Sequence, residues 1–243
     1  MYEAARLVSP STSVRKPGRR SFSRPELLRR SIRWRMHGAN VFSGRATISW
    51  SARWSTIPIS FPGSLSRAQG AEIRVLPFDE EGRLMTERLP ALLDARTRVV
   101  AVTQASNTRG HAARSASVID EAHRVGAVVV VDGCQGVVHG GVDVKALDCD
   151  FYAFSGHKLY APTGIGVLYG KQELLEKMPP FLTGGEMIET VSRYDAVYAE
   201  LPHKFEAGTV NAGGAVGLAA AIDYLESYGM DKLHADGTGT DGV

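Results

Sequence analysis

Lys158 closes a short polar run, Ser155-Gly156-His157-Lys158, that follows the apolar stretch Phe151 to Phe154. Upstream, Asp132 ends a run of valines and is followed by Gly133, Cys134 and Gln135. An amine, a carboxylate, an amide, a hydroxyl and an imidazole, each just past an apolar run, suit the holding of pyridoxal 5'-phosphate (PLP). That cofactor needs a lysine to take its aldehyde and a carboxylate beside its pyridinium nitrogen, so that the ring acts as an electron sink. It also needs donors around its phosphate, often main-chain N–H groups at a helix start. Asp132 stands where the carboxylate belongs. Gln135 can reach the ring's phenolic oxygen, Ser155 and His157 the phosphate, and Lys158 the aldehyde.

Each of these signals alone has a plainer meaning. An Asp-Gly at a strand end is usually a turn, and a lone Gly-His-Lys is usually a surface loop. Cys134 and Cys149 read as small core residues rather than nucleophiles, and His123 and His139 as surface or packing residues. The joint pattern outweighs these separate readings, because two strand ends deliver complementary groups to one rim.

The elements that position this rim are legible from Ala71 onward. Ala71 to Leu76 reads as a short strand, and Leu84 to Leu93 has apolar residues at helical spacing. Arg98 to Thr103 is an apolar, β-branched run, expected of a strand buried on both faces. Val118 to Val125 reads as a helix stopped by Gly126, and Ala127 to Val131 is a strand running into Asp132-Gly133. Phe151 to Phe154 and Gly164 to Tyr169 are further strands. Gln172 to Met178 is a helix, and Ala215 to Tyr228 a long amphipathic one. Strand–helix alternation predicts an α/β fold with a mostly parallel sheet flanked by helices. Ligands in such sheets bind beyond the carboxyl ends of the strands.

The totals set limits. The 243 residues suffice for one large domain or two small ones. There is no run of eighteen apolar residues, so no transmembrane helix is expected. The two cysteines form no disulfide framework, and a cytoplasmic location is the default expectation. Charge is uneven: residues 1–70 hold 13 Lys/Arg and two acids, while residues 71–243 hold 15 Lys/Arg and 24 acids. Residues 8–66 are rich in Arg, Ser and Trp with no sustained period of 3.6 or 2. Three readings compete for them: a basic nucleic-acid arm, an organellar transit peptide, or text that was never selected as protein.

The run VVVVDGCQGVVHGGVDVKALDCDFYAFSGHKLYAPTGIGVLYGK, with the downstream GGEMI and FEAGTVN, resembles the class V aminotransferase superfamily. More narrowly it looks like the cysteine desulfurases and selenocysteine lyases of the sulfur-mobilisation (Suf) type. The resemblance extends from about Ala71 to about His234. It implies the large domain of a fold-type I PLP enzyme over residues 71–235. It implies that Lys158 holds the cofactor and shuttles protons, that Asp132 pairs with the pyridine nitrogen and that Gln135 bonds the ring oxygen. It implies that Ser155 and His157 hold the phosphate and that Asn107 contacts substrate carboxylate or ring. Gly208 and Thr209 would reach the phosphate of a neighbouring subunit, hence a homodimer. The implied reaction takes sulfur from cysteine (or selenium from selenocysteine) and leaves alanine. The persulfide would pass to a Suf-type acceptor protein for iron–sulfur cluster assembly, with no nucleic-acid or membrane partner.

The sequence also departs from that pattern. The family's nucleophilic cysteine and its carboxylate-gripping arginine belong to a C-terminal small domain, which is expected to be missing here, and neither Cys134 nor Cys149 aligns with that cysteine. A phosphate-binding Gly-Ala-Thr loop and a ring-stacking histidine are expected in residues 20–66 and are not seen there. With suitable codons, Ser51 to Ser64 read one base earlier spells VSEMEHHSNIVPWQ, and Pro25 to Gly38 spells a Gly-Ala-Thr loop in the same frame. Residues 1–70 are therefore expected to be largely out of frame and poorly structured. Residues 236–243 are expected to be a non-native tail, and the chain to be inactive as written. Selenocysteine lyase or another class V aminotransferase-like reaction is the alternative among enzymes, and a non-catalytic remnant the alternative of another class. The DNA across Trp50 to Ser64 decides the frame.

Overall fold

The computed structural model describes residues 21–23, 47–50, 71–107, 115–139, 141–180 and 182–229. Nine strands are described: β1 (Ser21–Ser23), β2 (Thr47–Trp50), β3 (Glu72–Val75), β4 (Thr97–Thr103), β5 (Val128–Asp132), β6 (Phe151–Ser155), β7 (Gly166–Gly170), β8 (Ile188–Val191) and β9 (Ala196–Tyr198). The described helices are α1 (Leu89–Leu92), α2 (Ser115–Arg124), α3 (Gly136–His139), α4 (Val144–Leu147), α5 (Gln172–Lys177) and α6 (Ala212–Tyr228). Short 3₁₀ turns lie at Thr86–Arg88, Gly156–Leu159 and His203–Phe205.

The main sheet has the order β1-β7-β6-β5-β4-β2-β3. Its β3-β2, β2-β4, β4-β5 and β5-β6 pairs are parallel, while β7 runs antiparallel to both β6 and β1. The mostly parallel α/β sheet expected from the alternation is therefore present. The short connection from β6 to β7 explains the reversed strand, because a parallel return needs a crossover of a dozen or more residues. Strands β1 and β2 fall in the part of the chain where no periodicity announced them. The remainder of the expected out-of-frame segment and all of the expected tail lie outside the described residues.

Period-2 alternation splits the central strands between two cores. Val99, Ala101, Val130 and Phe151 face one side, with Leu175, Met178, Leu201 and Phe205. Val100, Val102, Val129, Val131, Tyr152 and Phe154 face the other, against α2 and α6. Burial on both faces is why β4 and β5 read as unbroken apolar runs rather than alternating ones.

Local chemistry sets the boundaries. Gly126, at φ +75°, ends α2 in the left-handed region. Its N–H donates to His123 O and that of Ala127 to Ala122 O, turning the chain into β5. Asp143 caps α4 by accepting from the N–H groups of Lys145 and Ala146 at 2.9 and 3.1 Å. Asn211 caps α6 through Gly214 N at 2.9 Å. The helix expected over Leu84 to Leu93 is shorter than its spacing suggests: Leu84 bridges Phe78, and α1 begins at Leu89. Pro90 is the cause, since proline fits only the first turn of a helix. On α6 the buried residues Ala215, Leu218, Ala219, Ile222 and Leu225 form the expected single face. The exposed hairpin β8-β9 had no clear signal in the sequence.

Candidate cofactor site

Strands β4, β5 and β6 are adjacent and parallel, so their carboxyl ends open on the same rim. Register pairs Thr103 with Asp132 and Asp132 with Ala153. The chain leaving β4 carries Gln104 and Asn107, β5 ends on Asp132, and β6 ends on Ser155 and runs into the turn Gly156–Leu159. That turn is held by Gly156 N donating to Ile165 O at 3.0 Å, and it closes on Tyr160 at φ +61°. His157 and Lys158 are thereby presented beyond the strand end, His157 exposed and Lys158 half-buried.

The hydrogen bonds at the rim are unevenly distributed. Asp132 Oδ1 accepts from Cys134 N at 3.0 Å, an Asx-type turn that folds the chain sharply after β5. The Cys134 thiol also interacts with the Asp132 carboxylate, while the Lys158 amine has no bonded partner among the described residues. Gln135 Nε2 donates to Asn107 Oδ1, so two residues singled out for different tasks touch each other. Ser155 Oγ lies 3.7 Å from Cys134 Sγ. Gly208, at φ +76°, donates its N–H to Gly185 O at 2.8 Å, and Thr209 beside it is exposed on the loop before α6. No hydrogen bond among the described residues joins Thr209 to the Asp132–Lys158 rim. Asn211 of the same loop reaches Gly164 O at 3.4 Å, beside the start of β7.

Two rim residues had not been singled out. Gln104 Oε1 accepts from the Tyr152 hydroxyl at 2.5 Å, and Gln104 N donates to Asp132 O at 2.9 Å, tying the ends of β4, β5 and β6. A Cβ on Gly133 would lie 1.9 Å from the Tyr152 ring, and one on Gly136 2.1 Å from Gln104 Oε1. Both glycines let this link pass beneath the rim. The available signal was Tyr152 itself, since a tyrosine in a buried strand needs a partner for its hydroxyl. The second residue is Thr103, whose buried hydroxyl has no partner among the described residues; a threonine closing a valine-rich strand carries no such signal in sequence.

Neither cysteine is poised as a thiolate. Burial, reinforced by the Asp132 charge, pushes the Cys134 thiol up to about 12. Burial and Asp150 do the same to Cys149, also to about 12. Both therefore carry a proton at neutral pH, as expected of packing residues.

The donor set fits PLP. A half-buried amine without a partner among the described residues and a carboxylate held there by Cys134 alone stand on neighbouring strand ends, with a hydroxyl and an imidazole on the turn between. No group of His, Cys, Asp or Glu among the described residues could hold a metal ion. Among the same residues no helix is long and apolar enough to cross a membrane.

Comparison with known proteins agrees with this chemistry. The family model for aminotransferase class-V matches residues 53–240. A cysteine desulfurase of Enterobacter sp. (strain 638) is 56% identical over 170 residues, covering 70% of this chain and 42% of that protein. One from Dickeya dadantii (strain 3937) is 55% identical over 172 residues, with coverage of 70% and 42%. The chain thus spans about two-fifths of the length of these curated relatives. Among solved structures, the cysteine desulfurase CsdA from Escherichia coli superposes with a TM-score of 0.87 at 38% identity, covering 96% of this chain and 58% of that one. The apo cysteine desulfurase of Thermococcus onnurineus NA1 gives 0.88 at 31% identity, covering 95% and 57%.

Proposed function

Because the chain belongs to the aminotransferase class-V family, we propose that its rim binds PLP for the desulfuration of cysteine, the activity named for its relatives. The observation that carries this reading is the placing, at adjacent strand ends, of a Lys158 amine without a partner among the described residues and an Asp132 carboxylate held by Cys134 alone. When bound, the cofactor supplies the electron sink that makes substrate bonds labile. Lys158 would hold the aldehyde and serve as the proton shuttle. The Asp132 carboxylate would stand by the ring nitrogen and favour its protonated form. Gln135 serves the ring oxygen and Asn107 the substrate side, and their mutual bond orients both amides. Ser155 and His157 serve the phosphate. Gly208 and Thr209 serve the phosphate of a second subunit, across a homodimer boundary.

In the overall reaction the C–S bond of cysteine breaks and an S–S bond forms on an acceptor thiol. The thiol hydrogens are redistributed to give alanine and a persulfide. Cys134 and Cys149, both held protonated by burial, are unsuited to accept that sulfur. We therefore assign residues 71–235 to cofactor and substrate binding, with the sulfur-receiving thiol supplied from elsewhere and the persulfide passed to an acceptor protein. On this assignment the chain alone does not release alanine.

The test uses the full chain with added PLP. Visible absorbance should appear, and borohydride reduction should fix the cofactor on Lys158, as located by peptide mass spectrometry. Lys158→Ala should abolish both signals. Absence of uptake by the wild-type chain would sink the cofactor assignment. Alanine release from cysteine by the chain alone would sink the assignment of the thiol to another source.

A further inference from the structure

Thr103, the last residue of β4, is 6% exposed, and its Oγ1 has no hydrogen-bond partner among the described residues. Buried hydroxyls are nearly always satisfied, so an orphan calls for a reason. Valine fills Val99, Val100 and Val102 of the same strand and would fill this position without stranding a donor. Position supplies the reason. Thr103 pairs in register with Asp132, and residues paired across neighbouring strands project from the same face. A donor without an acceptor among the described residues therefore stands beside a carboxylate that is held from its other side by Cys134, through Cys134 N on Oδ1 and through the thiol.

We propose that Thr103 is a positioning residue for the cofactor. Its hydroxyl donates to the Asp132 carboxylate once that carboxylate turns to meet the ring nitrogen, so that the orphan is satisfied only in the loaded state. The inference rests on the PLP reading above. With Cys134 N and Thr103 Oγ1 both donating, the carboxylate is fixed in plane and its ionised form is favoured, which keeps the ring nitrogen protonated. Thr103 need not touch the cofactor, and its fully covered oxygen suits a role exerted through Asp132.

The test compares Thr103→Val, Thr103→Ala and Thr103→Ser in the full chain. Three quantities are measured: the PLP dissociation constant, the thermal midpoint with and without PLP, and the pH titration of the bound cofactor's visible absorbance. Without cofactor, Thr103→Val should melt at or above the wild type, since the stranded donor is gone. It should bind PLP about tenfold more weakly, the scale of one hydrogen bond to a charged group. It should also gain less thermal stability from PLP, and its absorbance titration should shift. Thr103→Ser should restore binding and titration. If valine disturbs the strand end, serine against alanine makes the same comparison, with the hydroxyl kept in one and lost in the other.

Wild-type affinity and an unshifted titration in both hydroxyl-free variants would overturn the proposal. So would a lower cofactor-free midpoint with an unchanged gain from PLP, which marks a hydroxyl serving the fold alone. If the wild-type chain takes up no PLP, the cofactor reading falls and this inference falls with it. Wild-type uptake with unaffected variants removes Thr103 only.

Discussion

The two ends of the central strands treat polar groups in opposite ways. At the amino ends of β5 and β6, Asp150 is 6% exposed and fully engaged. Its Oδ2 accepts from Val129 N at 2.7 Å and meets His123 Nε2 at 2.9 Å, while its Oδ1 pairs with Lys171 Nζ at 2.9 Å. Lys171 also pairs with Asp148 at 2.9 Å. Burial alone would lower the Lys171 pKa, but the two carboxylates outweigh it and raise it. At the carboxyl ends, neither the Lys158 amine nor the Thr103 hydroxyl has a partner among the described residues, and Asp132 is held by Cys134 alone. A buried polar group that is satisfied stabilises the fold, and one left unsatisfied costs stability unless something else completes it. The saturated edge is built for stability, and the unsaturated edge has capacity left for a ligand.

The largest expected effect separates the two edges by function. On the proposed PLP reading, Lys158→Ala should abolish covalent PLP attachment, read as loss of the visible absorbance and of the borohydride-fixed adduct. Its thermal midpoint without cofactor should stay within about 2 °C of wild type. A large loss of cofactor-free stability would break the comparison, since it would give Lys158 a structural partner.

Asp150→Ala should do the reverse. It strands Val129 N and leaves the Lys171 amine to Asp148 alone, and should cost about 2–3 kcal/mol, lowering the thermal midpoint by about 5–10 °C. PLP affinity should be unchanged. Loss of cofactor in proportion to stability would show that the edges are coupled.

Tyr152→Phe probes the link that ties the rim strands to the core. Losing the bond to Gln104 should cost about 1 kcal/mol, read as a denaturant midpoint shifted with unchanged slope.

The smallest effect concerns the thiols, one near each edge. Both folded-state values, about 12, lie above the unfolded value of about 8.5. The sign follows from linkage. The native chain retains these protons where the unfolded chain loses them, so the stability they contribute is complete below about pH 8.5 and is lost as pH rises toward 12. Alkylation at pH 8 should be slow in the native protein and fast in denaturant. Asp132→Asn should modestly speed labelling of Cys134 alone, and Asp150→Asn that of Cys149 alone. Equal acceleration of both thiols by one substitution would mean that the fold had loosened.

Much of the positioning was legible without coordinates because it rests on near-neighbour chemistry. The valine run of β5 announces a strand buried on both faces, Asp132-Gly133 its end, and Ser155 to Lys158 the polar exit of β6. Each follows from the period of the backbone and from which residues tolerate burial. The cap at Asp143, the stop at Gly126 and the limit that Pro90 sets on α1 are equally local. So are the residue types at the rim, on which the PLP proposal is built.

Other features depend on residues brought together from distant parts of the chain. Only the folded sheet sets Thr103 beside Asp132, joins Gln135 to Asn107 and carries Tyr152 to Gln104, 48 residues away. The reversal of β7 and the Asp150–Lys171–His123 network have the same origin. Whether a polar group is satisfied is a property of its neighbours in space, and spacing along the chain does not encode it. The sequence by itself determined which groups stand at the rim; the tertiary structure decided which of them are already paired and which remain open to a ligand.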